Sequence, residues 1–179
     1  MADKLPLTGP VEFNKTVTAK GAVSVTDTTD SSSNTTGAVK VAGGISCEKK
    51  LHVGTSITSD SGDLLVKAGT LHVENGGTAS QSSAKTDGVT LNTETGQITM
   101  DNASLGAATA VTFVVTNSKS TATSTAIVNH VSGGTLGAYM VHAHGFTGSQ
   151  FSITVTNITS GALTDALVLR YVLIHGSHS

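Results

Sequence analysis

The alternation of apolar and polar residues is clearest in the last part of the chain, from about residue 103 onward. Apolar positions recur at every second residue in several short runs, which is the period of a half-buried β-strand. Glycines such as Gly133, Gly134, Gly145 and Gly148 lie between the runs, as turns require. The pattern predicts five strands, at Ala110–Asn117, Thr125–Val131, Ala138–Ala143, Gln150–Asn157 and Leu167–His175.

The last of these runs differs from the others because it is apolar on both faces. Leu167–Ile174 is interrupted only by Arg170 and Tyr171. A strand of this kind is typical of the centre of a sheet or of a contact between subunits. We therefore take Arg170 and Tyr171 as candidate assembly residues.

Before residue 103 the chain repeats a smaller unit, in which a turn precedes a short alternating strand. Gly21–Val25 recurs as Gly37–Val41, sixteen residues on, and Leu51–Val53 recurs as Leu71–Val73, twenty residues on. Residues 87–91 and 95–99 have the same character. One such unit buries too little apolar area to offset roughly 1–2 kcal/mol of backbone entropy per ordered residue. Three chains that pool one apolar face would form a fibrous β shaft.

These patterns predict three parts. Residues 1–20 contain both prolines, Pro6 and Pro10, and form an extended segment suited to docking on another protein, or else a flexible terminus. Residues 21–102 form the repeat-like shaft. Residues 103–179 form a compact antiparallel head, a β-sandwich or a barrel-like structure.

Composition supports an all-β homo-oligomer. Threonine (29 residues) and serine (21) dominate, and charged residues make up only 12% of the chain. Threonine and valine favour strands over helices. A net charge of −2 without a basic cluster argues against nucleic-acid binding. A single cysteine, Cys47, permits no disulfide within the chain, and no apolar run is long enough to insert into a membrane.

Residues 26–54 resemble a module of the fibre and spike proteins of tailed phages and large marine viruses. A Ser/Thr/Asp tract runs into Gly37-Ala38-Val39-Lys40-Val41-Ala42-Gly43-Gly44, and a short basic stretch then precedes Leu51-His52-Val53-Gly54. Gly145–Asn157 also resembles the heads of such fibres. His52 replaces the usual aromatic residue, and Glu48 precedes the lysines.

The resemblance implies a homotrimeric appendage on the virion surface, which contacts other virion proteins through residues 1–20. Such a fibre or spike would contribute to attachment to a host-surface glycan or protein. The alternative is a capsid decoration protein that reinforces the shell. A bacterial surface adhesin would need an export signal, and MADKLPLTGP has no such pattern.

One pair of residues suggests metal binding. His142 and His144 are two positions apart on a predicted strand and therefore point to the same face. Around a threefold axis they would present six imidazoles, enough for an octahedral transition-metal site. The alternative is a pair of polar side chains without a metal, and no other cofactor is expected.

Enzymatic activity is not expected. A hydrolase needs a base and an orienting acid, and the predicted head has Asp165 as its only carboxylate beside the possible bases His130, His142, His144 and His175. Phe146, flanked by glycines, and Tyr139 are candidate receptor contacts, although a role in the core is the stronger expectation for an aromatic side chain.

Overall fold

The computed structural model describes residues 17–30, 36–42, 44–59, 64–68, 70–73 and 76–176. Within these ranges the protein contains no helix, and hence none that could span a bilayer. The eight strands are β1 (Gly76–Ser80), β2 (Val89–Thr90), β3 (Thr95–Thr99), β4 (Ala110–Thr116), β5 (Ser124–Ser132), β6 (Tyr139–His144), β7 (Gln150–Asn157) and β8 (Val168–His175). The all-β class is therefore confirmed.

The strands form two four-stranded sheets that share one apolar core. Sheet A has the order β1-β3-β8-β5, and sheet B has the order β2-β4-β7-β6. Inward-facing side chains of both sheets build the core, including Ile98 and Leu169 from sheet A and Phe113, Phe151 and Ile153 from sheet B. All five are at most 2% exposed.

The predicted antiparallel or barrel-like arrangement needs correction, because both sheets are mixed and neither closes into a barrel. β1 pairs with β3 in parallel, and β2 pairs with β4 in parallel. The chain alternates between the sheets from β1 to β4, so neighbours within one sheet are separated by a strand of the other. The chain therefore crosses to the other sheet and back between β1 and β3, and again between β2 and β4, which lets the two strands of each pair run in the same direction.

The five strands predicted beyond residue 103 are confirmed, with ends that differ by at most one or two residues. Phe151, Ile153, Val155 and Asn157 are fully buried, as the alternation in β7 predicts. β8 lies between β3 and β5 and is therefore a central strand. Leu169, Tyr171 and Leu173 on one face point into the core, whereas Arg170 and Ile174 on the other face are exposed.

The sandwich also contains three strands that precede residue 103. β3 pairs with β8, and β2 pairs with β4, so residues 76–99 belong to the same two sheets as the later strands. The predicted border between shaft and head at 102/103 thus falls inside the sandwich. By its internal contacts the chain divides into Met1–Asp63 and Leu64–Ser179.

The turn after β5 depends on two glycines that the sequence marks as turn residues. Gly133 and Gly134 have φ angles of +75° and +71°, which side-chain-bearing residues rarely adopt. A Cβ atom on Gly133 would lie 2.1 Å from the Ala166 carbonyl oxygen, and one on Gly134 would lie 2.4 Å from the Asp165 carboxyl carbon. The chain therefore passes Asp165 and Ala166 at a distance that only glycine allows.

The described residues between 17 and 73 differ sharply from the sandwich, since they contain no strand. Their large aliphatic side chains are exposed, with Val23 at 75%, Leu64 at 77% and Leu71 at 72%. This region does contain a local hydrogen-bonded turn, in which the Asp27 carboxylate accepts hydrogen bonds from the backbone and hydroxyl of Thr29. A single chain thus leaves the apolar positions of the repeats between residues 17 and 73 uncovered, whereas Val89, Leu91 and Ile98 of the later repeats are buried in the sandwich.

Asn157, at the end of β7, ties two loops to the sandwich. Its Nδ2 group donates to the carbonyl oxygens of Leu105 (3.1 Å), Gly106 (3.0 Å) and Gly161 (2.8 Å). Its Oδ1 atom accepts hydrogen bonds from the backbone and hydroxyl of Thr159. The residue is fully buried, and its amide links the loops at 105–106 and 159–161 to the end of β7.

We expect Asn157→Asp to lower the free energy of unfolding by about 3 kcal/mol, because a buried carboxylate would replace the amide donor and face three carbonyl oxygens. Exposed Asn102→Asp is the control and should change stability by less than about 0.5 kcal/mol. Urea unfolding followed by circular dichroism measures both. Equal midpoints for the two variants would contradict this role of Asn157.

Candidate functional site

A line of hydrogen-bonding side chains crosses the outer face of sheet A. Thr78 on β1 is in register with Gln97 on β3, Gln97 with Arg170 on β8, and Arg170 with Asn129 on β5. We call these four residues the Arg170 row. None of them is buried, and Arg170 Nε donates a hydrogen bond to Gln97 Oε1 at 3.2 Å. Arg170, predicted as an assembly residue, therefore lies on an open surface of the chain.

A groove of about 390 Å³ lies beside the Arg170 row. Gly76, Gly77 and Gly96 line it without side chains, and Val73 and Val172 add apolar surface. Gly76, Thr95 and Val172 are in register across three strands, so this line runs next to the row. The groove thus combines an apolar surface with a guanidinium group at its rim.

The histidine pair lies on the opposite side of the sandwich. His142 and His144 are both exposed on β6, an edge strand of sheet B, and their ring centres are 5.3 Å apart. The prediction that they share a face is confirmed. Adjacent imidazoles of an octahedral ion, at about 2.0–2.1 Å per metal–nitrogen bond, would have their ring centres roughly 4.5 Å apart, so the two rings would have to approach each other to share such an ion.

His144 has a further contact that affects its availability as a ligand. Its Nε2 atom lies 2.9 Å from Thr154 Oγ1, which itself lies 2.7 Å from Thr112 Oγ1. A hydrogen bond of this kind fixes the ring and leaves Nδ1 for a metal. No cluster of three or more metal-binding side chains occurs in the described ranges, so further ligands would have to come from other copies or from water.

We expect the purified assembly to carry at least one transition-metal ion per three chains if the pairs meet on a threefold axis. His142→Ala and His144→Ala should each abolish the bound metal, whereas His52→Ala, at an exposed site, should not. Elemental mass spectrometry of the dialysed protein measures this. Less than one equivalent per trimer in the unmodified protein would contradict the metal site.

Tyr139, a candidate receptor contact, is part of the core. It is 7% exposed, and its hydroxyl donates to Asp165 Oδ2 at 2.8 Å. The His130 ring packs edge-on against it with 5.7 Å between ring centres. Its side chain is therefore not available to a receptor. Burial, together with the bond to the Asp165 carboxylate, raises the pKa of the Tyr139 hydroxyl above its ordinary value of 10.0.

This raised pKa predicts a loss of stability in alkali. Above pH 10 the unfolded chain releases the Tyr139 proton while the folded chain retains it, so the free energy of unfolding decreases as pH rises. Tyr139→Phe removes this contribution, and its stability should fall less steeply between pH 10 and 11.

Urea midpoints measured from pH 8 to pH 11 test this prediction. Burial also raises the pKa of Tyr171, and burial lowers the pKa of Lys85, which contributes with the opposite sign. Both groups are present in the two proteins and cancel in the comparison. Parallel pH profiles for the unmodified protein and Tyr139→Phe would rule out the contribution of Tyr139.

The other two aromatic candidates also pack inward, to different degrees. Phe146 is half-buried in the loop between β6 and β7 and stacks on Phe151 with 5.3 Å between ring centres. It keeps an exposed part that a receptor could contact. Tyr171 is 2% exposed, and its hydroxyl donates to the carbonyl oxygen of Leu91 and accepts from Asn117 Nδ2, both at 3.1 Å. Its expected role in assembly does not fit this position in the core of its own chain.

The structure brings together one constellation that the sequence analysis missed. His175 Nδ1 lies 2.8 Å from Ser124 Oγ, and His175 Nε2 lies 2.9 Å from Glu94 Oε2. A serine, a histidine and a carboxylate in this order resemble a hydrolase triad, but the two imidazole nitrogens are exchanged, since in a serine protease Nε2 faces the serine and Nδ1 the acid. Glu94 falls within the predicted shaft at 21–102, so the sequence alone gives no sign of an acid beside His175.

The surroundings of Ser124 favour a structural role for this constellation. Its Oγ atom accepts from the Thr121 backbone N–H at 2.9 Å and lies 2.9 Å from Thr121 Oγ1. With His175 as a third partner, the oxygen has no free lone pair for attack. The three residues therefore act as a clasp that joins the start of β5, the end of β8 and the turn before β3.

Comparison with known proteins finds no match to a family model, a curated protein or a solved structure.

Proposed function

We propose that this protein is the subunit of a homotrimeric fibre or spike on the surface of a virus particle, where it contributes to attachment to the host. One observation carries the proposal: one part of the chain buries its apolar residues, and the other part leaves them exposed to solvent. The sandwich buries a core of 17 apolar residues. The described residues from 17 to 73 bury none of their large aliphatic side chains.

The exposed aliphatic residues follow the sequence repeats. Val23 and Val25, Val39 and Val41, and the pairs at 51/53 and 71/73 are separated by one residue each, which places both members of a pair on one face of an extended chain. Full burial of each such side chain contributes about 1.5–3 kcal/mol. Identical chains offer identical faces, so association in parallel would cover all of them at once.

Multivalency would make such an assembly useful for attachment. Three sandwiches per trimer and many trimers per particle convert weak contacts into a large overall affinity. Residues 1–20 are the proposed contact with other virion proteins, and residues 1–16 lie outside the described part of the chain.

The alternative is a capsid decoration protein, whose sandwich would contact the shell. Deletion experiments on virus particles separate the two functions. Because β1–β3 belong to the sandwich, the head deletion has to begin at Gly76; a deletion from 103 would cut through both sheets. Deletion from Gly76 should reduce adsorption if the protein attaches to the host, and should weaken the shell if it decorates the capsid.

We expect the full chain to form trimers at micromolar concentration. The double variant Leu51→Ser, Leu71→Ser should dissociate at least tenfold more readily, because it removes apolar side chains from two repeat units. Mass photometry and analytical ultracentrifugation measure both proteins.

Ile127→Ser is the matched control, since Ile127 is an exposed aliphatic residue of the sandwich, at 56%. This variant should remain trimeric. A full chain that stays monomeric and folds cooperatively would refute the proposed assembly. Dissociation by Ile127→Ser alone would place the subunit contact on the sandwich.

A further inference from the structure

The Arg170 row has unused hydrogen-bonding capacity. Arg170 carries five N–H donors, and its recorded bond to Gln97 uses only the one at Nε. That bond orients the guanidinium group across the strands. Thr78 and Asn129 are exposed at the two ends of the row, with a hydroxyl and an amide. The row therefore presents donors and acceptors in a line across a rigid sheet.

The charge of Arg170 lacks a carboxylate partner among the described residues. The ion pair found there joins His175 to Glu94. Lys85, another cation of the sandwich, is 4% exposed and donates to the backbone oxygens of Asp101 and Asp165. Arg170 and Lys119 thus remain as the exposed permanent cations of the described sandwich. The planar guanidinium fork matches a carboxylate in geometry as well as in charge.

The groove beside the row fits a small ring. Its volume of about 390 Å³ is near the lower end of the range of about 300–1,000 Å³ for small-molecule sites. Glycine positions let a ligand approach the backbone closely, and Val172 offers an apolar surface. The groove therefore suits a compact molecule with one apolar face, one carboxylate and several hydroxyl groups.

We propose that the groove and the Arg170 row bind an acidic sugar. The carboxylate pairs with Arg170, the apolar face of the ring packs against Val172 and the glycines, and the sugar hydroxyls bond to Thr78 and Gln97. A fatty acid would leave these polar side chains without partners. The inference rests on the proposed function, because carboxylated sugars on a cell surface are ligands that an attachment head would meet.

Titration calorimetry on the full-length protein tests the proposal. The probes are N-acetylneuraminic acid and glucuronic acid, with glucose, the methyl ester of glucuronic acid and acetate as comparisons. At least one acidic sugar should bind 10-fold or more tightly than its neutral counterparts and than acetate.

Variants of the two exposed cations identify the site. Arg170→Gln should weaken binding of the acidic sugar roughly 10- to 100-fold, as expected for loss of a charged hydrogen-bonding partner. Arg170→Lys keeps the charge but loses the fork, and should have a smaller effect. Lys119→Gln is the matched control and should bind as the unmodified protein does. Circular dichroism confirms that each variant is folded.

Several outcomes would overturn the proposal. Equal binding of acidic and neutral sugars would exclude recognition of the carboxylate, and equal binding of acetate would exclude recognition of the sugar. A loss of the trimer in Arg170→Gln or Arg170→Glu would assign Arg170 to a subunit contact. Failure to bind sugar by a protein that is trimeric would reject this site and leave the proposed fibre intact, since trimer formation is measured separately.

Discussion

The burial of apolar side chains is the constraint on which the structure of this protein depends. From β1 to β8 the chain folds back on itself often enough to close a core between two sheets, and Phe113, Phe151 and Tyr171 fill its centre. Before β1 the aliphatic residues come in short repeats that a single chain leaves open to solvent. In the proposed trimer, the hydrophobic effect that stabilises the core of the sandwich would also cover these exposed residues through association.

Inside the sandwich, buried polar groups connect loops to strands. Asn157 and Asn117 satisfy loop carbonyls and a tyrosine hydroxyl, and Lys85 holds the backbone oxygens of Asp101 and Asp165. The clasp of Ser124, His175 and Glu94 does the same at one end of sheet A. Such groups stabilise a fold only while all of their partners remain in place, so they fix the paths of the connections.

The two outer faces offer different chemistry to the surroundings. Sheet B carries an imidazole pair beside threonine hydroxyls, whereas sheet A carries a guanidinium group beside an apolar groove. Both sites lie on paired strands, which hold side chains more rigidly than loops do. Binding through a sheet face would need no movement of the backbone, and this would suit the proposed attachment to a simple ligand that is repeated on a surface.

The sequence by itself determined the all-β class, the five later strands and the shared face of His142 and His144, because a period of two residues and glycine turns are local properties. Only the tertiary structure decided how the strands pair: that β1 and β2 join the sandwich through parallel partners, that Tyr139 and Tyr171 point into the core, and that Glu94 meets His175. These contacts join residues far apart in the chain, and alternation shows that a face is buried without showing what lies against it. The Arg170 row has the same origin, since four strands that are not adjacent in sequence supply one residue each.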